Sequence, residues 1–508
     1  MTLYERKDSI LGGTYWQYIS SISFVIAGAL FYIFLVHFYS TSIVGVFSLL
    51  SAISYLFANA FSLGLQQGIQ HFISYHLGRG EDDAVKSLIK KFTIVALVLS
   101  VAAFGSLWLL IPVITPLFFH TNAYLVYLRL TDVEILSMVI TNILLYMLLG
   151  LQNFKLNGLL NLVNYVVGYG LIIPLIVLNK SPLVIIYAWI IGYYLTALLT
   201  LYFIYGKTKR IKTEYLHIVK LKPVLKYSTP IFISGLVGYG ATYVDRFVVT
   251  AFLNLSELGI YNFSLLIVNA LSILVSPFMI ILLSRLSEFY GTGDNESFKR
   301  YSLKASEILT AVYVPLALII AALSPSVLLF LAKSSYVSGA APITIILITS
   351  SLTVSLSVFV VTLQAIRKTK VLIVSSSIGL ISNLLLSIVL IPRFGIDGAA
   401  VGYASLNITL FVVIYYFSRK YGTLVYDGKK MLKIYVSGFV TYFLMILVQN
   451  RLGYSILKLF IFAVTGIAVY LFLIRLTAAF NENDIDLFLG MLPERYERLK
   501  RLFKSFFV

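Results

Sequence analysis

Asp245 and Arg246 stand side by side in the stretch GYGATYVDRFVVTAF. From Tyr227 to Leu253 nothing else ionises except the phenols of Tyr227, Tyr239 and Tyr243. An arginine offers five donors in a planar fork that matches a phosphate, and an aspartate can hold a cation or carry a proton. Locking one helix to its neighbours is the structural alternative. A charge near the middle of a lipid-facing helix costs about 2.5–3.5 kcal/mol, so the pair is expected to face protein or water. Neighbours on a helix point ~100° apart. One arrangement therefore aims Arg246 at an interior cleft and sets Asp245 against another helix. A second polar set lies in LGLQQGIQHF, where Gln67, Gln70 and His71 share one helix face beside Gln66. They are expected to line a vestibule, with simple solvation of a helix end as the plainer reading.

The elements that must position these groups are membrane helices. The chain has 508 residues, 59% hydrophobic and 12% charged, with a mean hydropathy of +0.93. A soluble chain of this length carries about twice that charged fraction. Apolar runs longer than ~18 residues recur throughout, which predicts an all-α, polytopic membrane protein. We count about fourteen transmembrane helices, near 12–38, 43–77, 92–118, 132–151, 156–178, 183–205, 227–253, 260–284, 303–331, 340–364, 370–391, 397–418, 432–449 and 455–478. The first apolar run is too long for a signal peptide. Cysteine is absent, which excludes disulfides, thiol catalysis and Cys-ligated metals. No P-loop, HExxH or GxSxG is present, so no catalytic residue, bound cofactor or metal is expected.

Of the 39 Lys and Arg residues, 32 fall at the termini or in loops after even-numbered spans, and 6 in the other loops. By the positive-inside rule both termini are expected in the cytoplasm, in a multi-pass protein of the plasma membrane. The net charge of +18 is then a topology signal with affinity for membrane lipids, not for nucleic acid.

An internal repeat is also legible. Gly45 in STSIVGVFSLL matches Gly259 in NLSELGIYNFSLL, and Lys155 in GLQNFK matches Lys370 in AIRKTK, at offsets of 214 and 215 residues. These landmarks predict two parallel six-helix repeats forming N and C lobes, plus two extra helices. The domains expected are an N-lobe at 1–205, a basic linker at 206–226, a C-lobe at 227–419, spans 13 and 14 at 420–480, and an amphipathic basic tail at 481–508. Asn164, Asn269 and Asn383 fall mid-span, where an amide can hydrogen-bond sugar, though inter-helix hydrogen bonds are the more common use. Glu307, one turn past Lys304, is expected to make a local ion pair.

The series SIVGVFSLL, FSLGLQQGIQHFISYHLGRGEDD, YSTPIFISGLVGYGATYVDRFVVTAFLNLSELGIYNFSLL, SPFMIILLSRLSEFYGTGDNESFKR and IPRFGIDGAAVGYA resembles the polysaccharide-biosynthesis (Wzx-type) flippases of the multidrug/oligosaccharidyl-lipid/polysaccharide exporter superfamily. The resemblance covers about residues 12–420 and includes the family's Asp-Arg pair at Asp245 and Arg246. It departs at His71, where the family is often basic. It implies a transporter that flips a lipid-linked oligosaccharide, of polyprenyl or dolichyl phosphate type, from the inner to the outer leaflet by alternating access. Arg246, Asp245, Gln67, Gln70 and His71 are the residues expected at the substrate. A coupling cation or proton, glycan-assembly enzymes as partners, and a monomeric state are further expectations. The wealth of Ile, Tyr and Lys without Cys points to an archaeal source. A drug exporter of the same fold predicts resistance to toxic cations instead, and span 1 lacks the acids that branch usually carries. A non-transporting scaffold or scramblase needs no coupling ion. A membrane-embedded glycosyltransferase would need outer-loop acids, for which Asp132, Glu134, Glu257 and Asp397 are the candidates.

Overall fold

The computed structural model describes residues 10–208, 221–453 and 456–480. The tail at 481–508 and most of the linker lie outside the described residues. Among the described residues there are no strands. The chain divides into two compact units, Met1–Gly259 and Ile260–Val508. This division keeps the seventh span with the first unit.

In the first unit the helices are α1 (Ile10–Phe38), α2 (Thr41–Ser62), α3 (Leu65–Gly78), α4 (Asp82–Ile114), α5 (Leu125–Gly150), α6 (Phe154–Gly170), α7 (Ile172–Leu178), α8 (Leu183–Thr208) and α9 (Leu221–Phe252). Helix α10 (Leu255–Ala270) begins in that unit. The second unit continues with α11 (Ser272–Thr292), α12 (Asn295–Ala322), α13 (Ser324–Leu331), α14 (Ala340–Ala365), α15 (Lys370–Lys420), α16 (Gly428–Leu452) and α17 (Ile456–Leu476).

Eleven helices among the described residues are long and apolar enough to cross a membrane. The expected fourteen spans are not all recovered as separate crossings. Spans 11 and 12 are two helices within α15 that meet at Gly395, whose backbone angles are not helical. Span 8 is divided into α10 and α11, and α9 carries the Asp-Arg pair and three glycines, which lower its hydropathy. Exposed Leu, Val and Ile, such as Leu109, Val177 and Val464, form the apolar exterior that lipid requires.

The second span breaks where Leu63 and Gly64 adopt left-handed backbone angles, separating α2 from α3. A Cβ at Gly64 would lie 2.6 Å from the Ser228 carbonyl oxygen and 2.9 Å from the Phe232 nitrogen. Glycine is needed there both for φ and for the close approach of α9. The repeat landmarks also meet. A Cβ on Gly45 would overlap the Leu255 carbonyl, and one on Gly259 would overlap the Thr41 carbonyl, while the Thr41 and Ser256 hydroxyls are hydrogen-bonded. The start of α10 therefore seats directly on α2, backbone against backbone.

Candidate substrate site

Helix α9 packs on α2 and α3 and presents Tyr239, Tyr243 and Arg246 at helical spacing along one face. The Tyr239 and Tyr243 rings stack at 4.6 Å, and the Arg246 guanidinium lies 4.4 Å from the centre of the Tyr243 ring. Tyr239 donates its hydroxyl to the Ala52 carbonyl of α2, and Tyr55, one turn along α2, lies against Tyr243 at 6.3 Å. Arg246 also donates to the Thr242 carbonyl at 2.7 Å and sits 3.5 Å from the Asp245 carboxylate. Asp245 in turn accepts the Arg246 backbone N–H at 2.9 Å.

The pair is thus bonded within its own helix. The long arginine side chain folds back along its own helix, so the two charges meet despite the angle between their Cα–Cβ bonds. Both are buried, Asp245 fully and Arg246 with 6% exposure. Burying charges is tolerable when they are paired and their remaining donors are used, and the aromatic face adds a cation–π contact.

Beyond Tyr55 lies a small cavity of about 40 Å³ walled by Tyr165, Tyr169, Tyr193, Asn164 and Glu134. That is room for water, not for a sugar. Glu134 is buried and accepts the Ser54 hydroxyl at 3.1 Å. Asp132, two residues earlier on α5, is fully buried and neither of its oxygens has a hydrogen-bond partner among the described residues. Both acids are therefore internal, which removes them from any outer-loop catalytic set. The sequence places them among the outer-loop acids because they fall at the start of a span, where an acid looks interfacial. The signal was their place in TDVEIL, directly ahead of an apolar run.

The glutamine face lies elsewhere. Gly68 of α3 is pressed against Ser228 of α9, and His71 stacks on Tyr227 at 4.6 Å. Gln67 and Gln70 are half-buried, and the Gln67 side-chain oxygen is buried without a partner. From Ser228 to Arg246 is 18 residues of helix, or ~27 Å. The structure thus brings Arg246, Asp245 and the tyrosines together and leaves Gln67, Gln70 and His71 near the other end of α9. Glu307 exceeds its expected local pair with Lys304, 3.0 Å away, because Lys430 of α16 reaches the same carboxylate oxygen at 2.7 Å. Among the described residues no group of acids and histidines is arranged to hold a metal.

The helices are those of a polytopic membrane protein, and solved structures of membrane transporters share the fold. The chain is similar to the lipid II flippase MurJ in an inward closed conformation, with a TM-score of 0.72 and 17% identity over 92% of this chain and 98% of that one. It is similar to an inward-facing multidrug resistance MATE transporter, with a TM-score of 0.65 and 15% identity over 78% and 93%. A third is a MOP superfamily transporter from Pyrococcus furiosus, described as having a binding pocket of reversed polarity, with a TM-score of 0.56 and 14% identity over 84% and 94%. No curated protein matches the chain. Residues 45–341 match the family described as "Polysaccharide biosynthesis protein", and the chain belongs to that family. The fold is one shared with multi-pass membrane transporters and flippases.

Proposed function

We propose that this protein flips a lipid-linked oligosaccharide from the inner to the outer leaflet of the plasma membrane by alternating access, with both termini cytoplasmic. The observation that carries the reading is Arg246, held inside the membrane by a carboxylate 3.5 Å away and a tyrosine ring 4.4 Å away, in a chain of the polysaccharide biosynthesis family. A glycan hydroxyl taken into hydrocarbon without partners costs roughly 4–8 kcal/mol. A headgroup with many hydroxyls and an anionic phosphate therefore crosses only where protein supplies partners. The phosphate exchanges with Asp245 for the guanidinium when the site opens, and the tyrosines offer an apolar face and a hydroxyl to each sugar ring. Gln67, Gln70 and His71, ~27 Å along α9, meet the headgroup at entry. Asp132 and Glu134, buried with no cation partner among the described residues, take the coupling cation or proton in place of the paired Asp245. The protein acts as a monomer and receives its substrate from glycan-assembly enzymes.

The test is transport by purified protein in proteoliposomes of a fluorescent polyprenyl-diphosphate oligosaccharide. Arg246→Ala is expected to abolish flipping while the protein still inserts, and Arg246→Lys to keep only a minor part, since an ammonium lacks the planar fork. Normal flipping by a well-inserted Arg246→Ala overturns the role. The buried carboxylates favour a second reading, export of an organic cation. In that case resistance to toxic cations, and no flipping of the glycolipid, is the result expected.

A further inference from the structure

The second unit holds a cavity of about 300 Å³ between α10, α11, α12, α14 and α15, at the lower end of small-molecule sites. Its polar lining includes Asn269, Ser272, Thr353, Tyr403 and Asn407, and it contains no Asp, Glu, Lys, Arg or His. Asn269 lies 14 residues into α10, ~21 Å from the start of that helix, so it sits deep in a membrane-spanning segment. Even so, Asn269 and Ser272 are exposed, where the eighth span is interrupted between Ala270 and Ser272. This departs from the commoner use of a mid-span asparagine: its amide bonds to no other helix among the described residues, and the amide of Asn407 likewise has no partner there. Polar groups left open at that depth face water or a polar ligand, because lipid satisfies none of them.

The lining also selects the ligand. Thr353 donates its hydroxyl to the Thr349 and Ser350 carbonyls, and Ser272 donates to the Asn269 carbonyl at 2.6 Å. Their donors are used, which leaves oxygen lone pairs toward the cavity. The two amides supply donors as well as acceptors. An anion would call for a cation in the wall and an organic cation for a carboxylate, and the wall has neither. Vicinal hydroxyls, each both donor and acceptor, match it, and the remaining apolar wall suits the carbon face of a sugar ring.

We infer that this cavity is a binding site for an uncharged sugar unit of the transported glycan, distinct from the ionic cluster around Arg246. The inference rests on the flippase reading for its substrate, and the two are tested apart. The full chain in lipid nanodiscs is titrated with polyprenyl diphosphate bearing a neutral disaccharide, and separately with the bare polyprenyl diphosphate. Wild type is expected to bind the glycosylated carrier about tenfold tighter, as befits one or two net hydrogen bonds. Asn269→Leu with Asn407→Leu should erase that preference and leave bare-carrier binding unchanged. Thr353→Val, which keeps the shape, should reduce the preference on its own and serves if the double variant does not fold. A preference that survives in the variants, or its absence from wild type, overturns the sugar site while the flippase reading stands on its own transport assay. Failure of both carriers to bind wild type overturns the two together.

Discussion

The two units place charge inside the membrane for opposite purposes. In the first, Asp132 and Glu134 are buried without a cation partner among the described residues, and the Asp245–Arg246 pair is two neighbours on one helix. That pair lies within α9 itself. In the second unit the buried ions are a lock. Glu307 of α12 holds Lys430 of α16 and Lys304 of its own helix, and the Lys430 ammonium also lies 4.6 Å from the centre of the Phe480 ring. Spans 13 and 14, which lie outside the repeat, are thereby pinned to it, since α16 packs on α12 and α17 packs on both. The transmembrane cavity of the second unit is uncharged. An ion pair between helices resists movement, whereas an ion pair within a helix does not.

Substitutions can break this contrast, and the largest effect lies where backbone meets backbone. Gly45→Val would drive its side chain into the Leu255 carbonyl, and neither α2 nor α10 can retreat without losing its own helix contacts. We expect no monodisperse protein after extraction, judged by size-exclusion chromatography. A well-behaved Gly45→Val would mean that the close seat of α10 on α2 is not required.

Next in size is the lock. Glu307→Gln leaves two ammonium groups without their shared anion, and removing one partner of a buried pair costs about 3–5 kcal/mol. Glu134→Gln, by contrast, replaces an acid that has no cation partner among the described residues, and the amide oxygen can still accept the Ser54 hydroxyl. Its effect on stability is expected within the ordinary range of about 1 kcal/mol, while it should flatten any dependence of transport on pH or cation gradient. Thermal unfolding of the two variants in the same detergent measures the difference. Equal loss in both would erase the distinction between lock and switch.

How far these roles were legible follows from their physics. The helical class and the repeat were open to reading because hydropathy and glycine spacing are local signals, and the Glu307–Lys304 contact is one helical turn. Lys430 was out of reach because it arrives from 123 residues away. Arg246 and Asp245 stood out as charges in an apolar stretch, but their pairing depended on how a long side chain folds back onto Thr242, which spacing alone does not fix. For Asn269 the sequence leaves both sugar bonding and the commoner inter-helix bond open, because residue type alone does not choose between them. The break between α10 and α11 that exposes it leaves no proline or glycine at Ala270, Leu271 or Ser272. Glu134 stood out only as an outer-loop acid, because its nearness to a span boundary hid its burial.

The smallest effects concern two turns at matching places in the repeat, and they sharpen the same contrast outside the membrane. Between α3 and α4, Glu81 accepts from His76 at 2.5 Å and from Arg79 at 2.6 Å. Between α11 and α12, Asp294 accepts the Ser297 backbone N–H at 2.9 Å and caps α12. The His76 hydrogen bond, with help from Arg79, holds the Glu81 carboxyl below its usual range, and the Ser297 hydrogen bond does the same for Asp294. A carboxyl depressed in the folded state adds stability above its unfolded value and loses it as pH falls through the folded value. Both turns should therefore be firm at neutral pH and loosen in acid, below the ordinary carboxylate range near pH ~4. Salt separates them. At 1 M the screening length is about 3 Å, so the Arg79–Glu81 ion pair weakens while a capping hydrogen bond persists. Amide exchange at neutral pH in 1 M salt is expected to quicken over residues 79–85 and to stay unchanged over residues 294–298. Equal quickening in both turns would show that Asp294 also acts through charge, and no quickening in either would show that the His76–Glu81–Arg79 clamp contributes nothing to its turn.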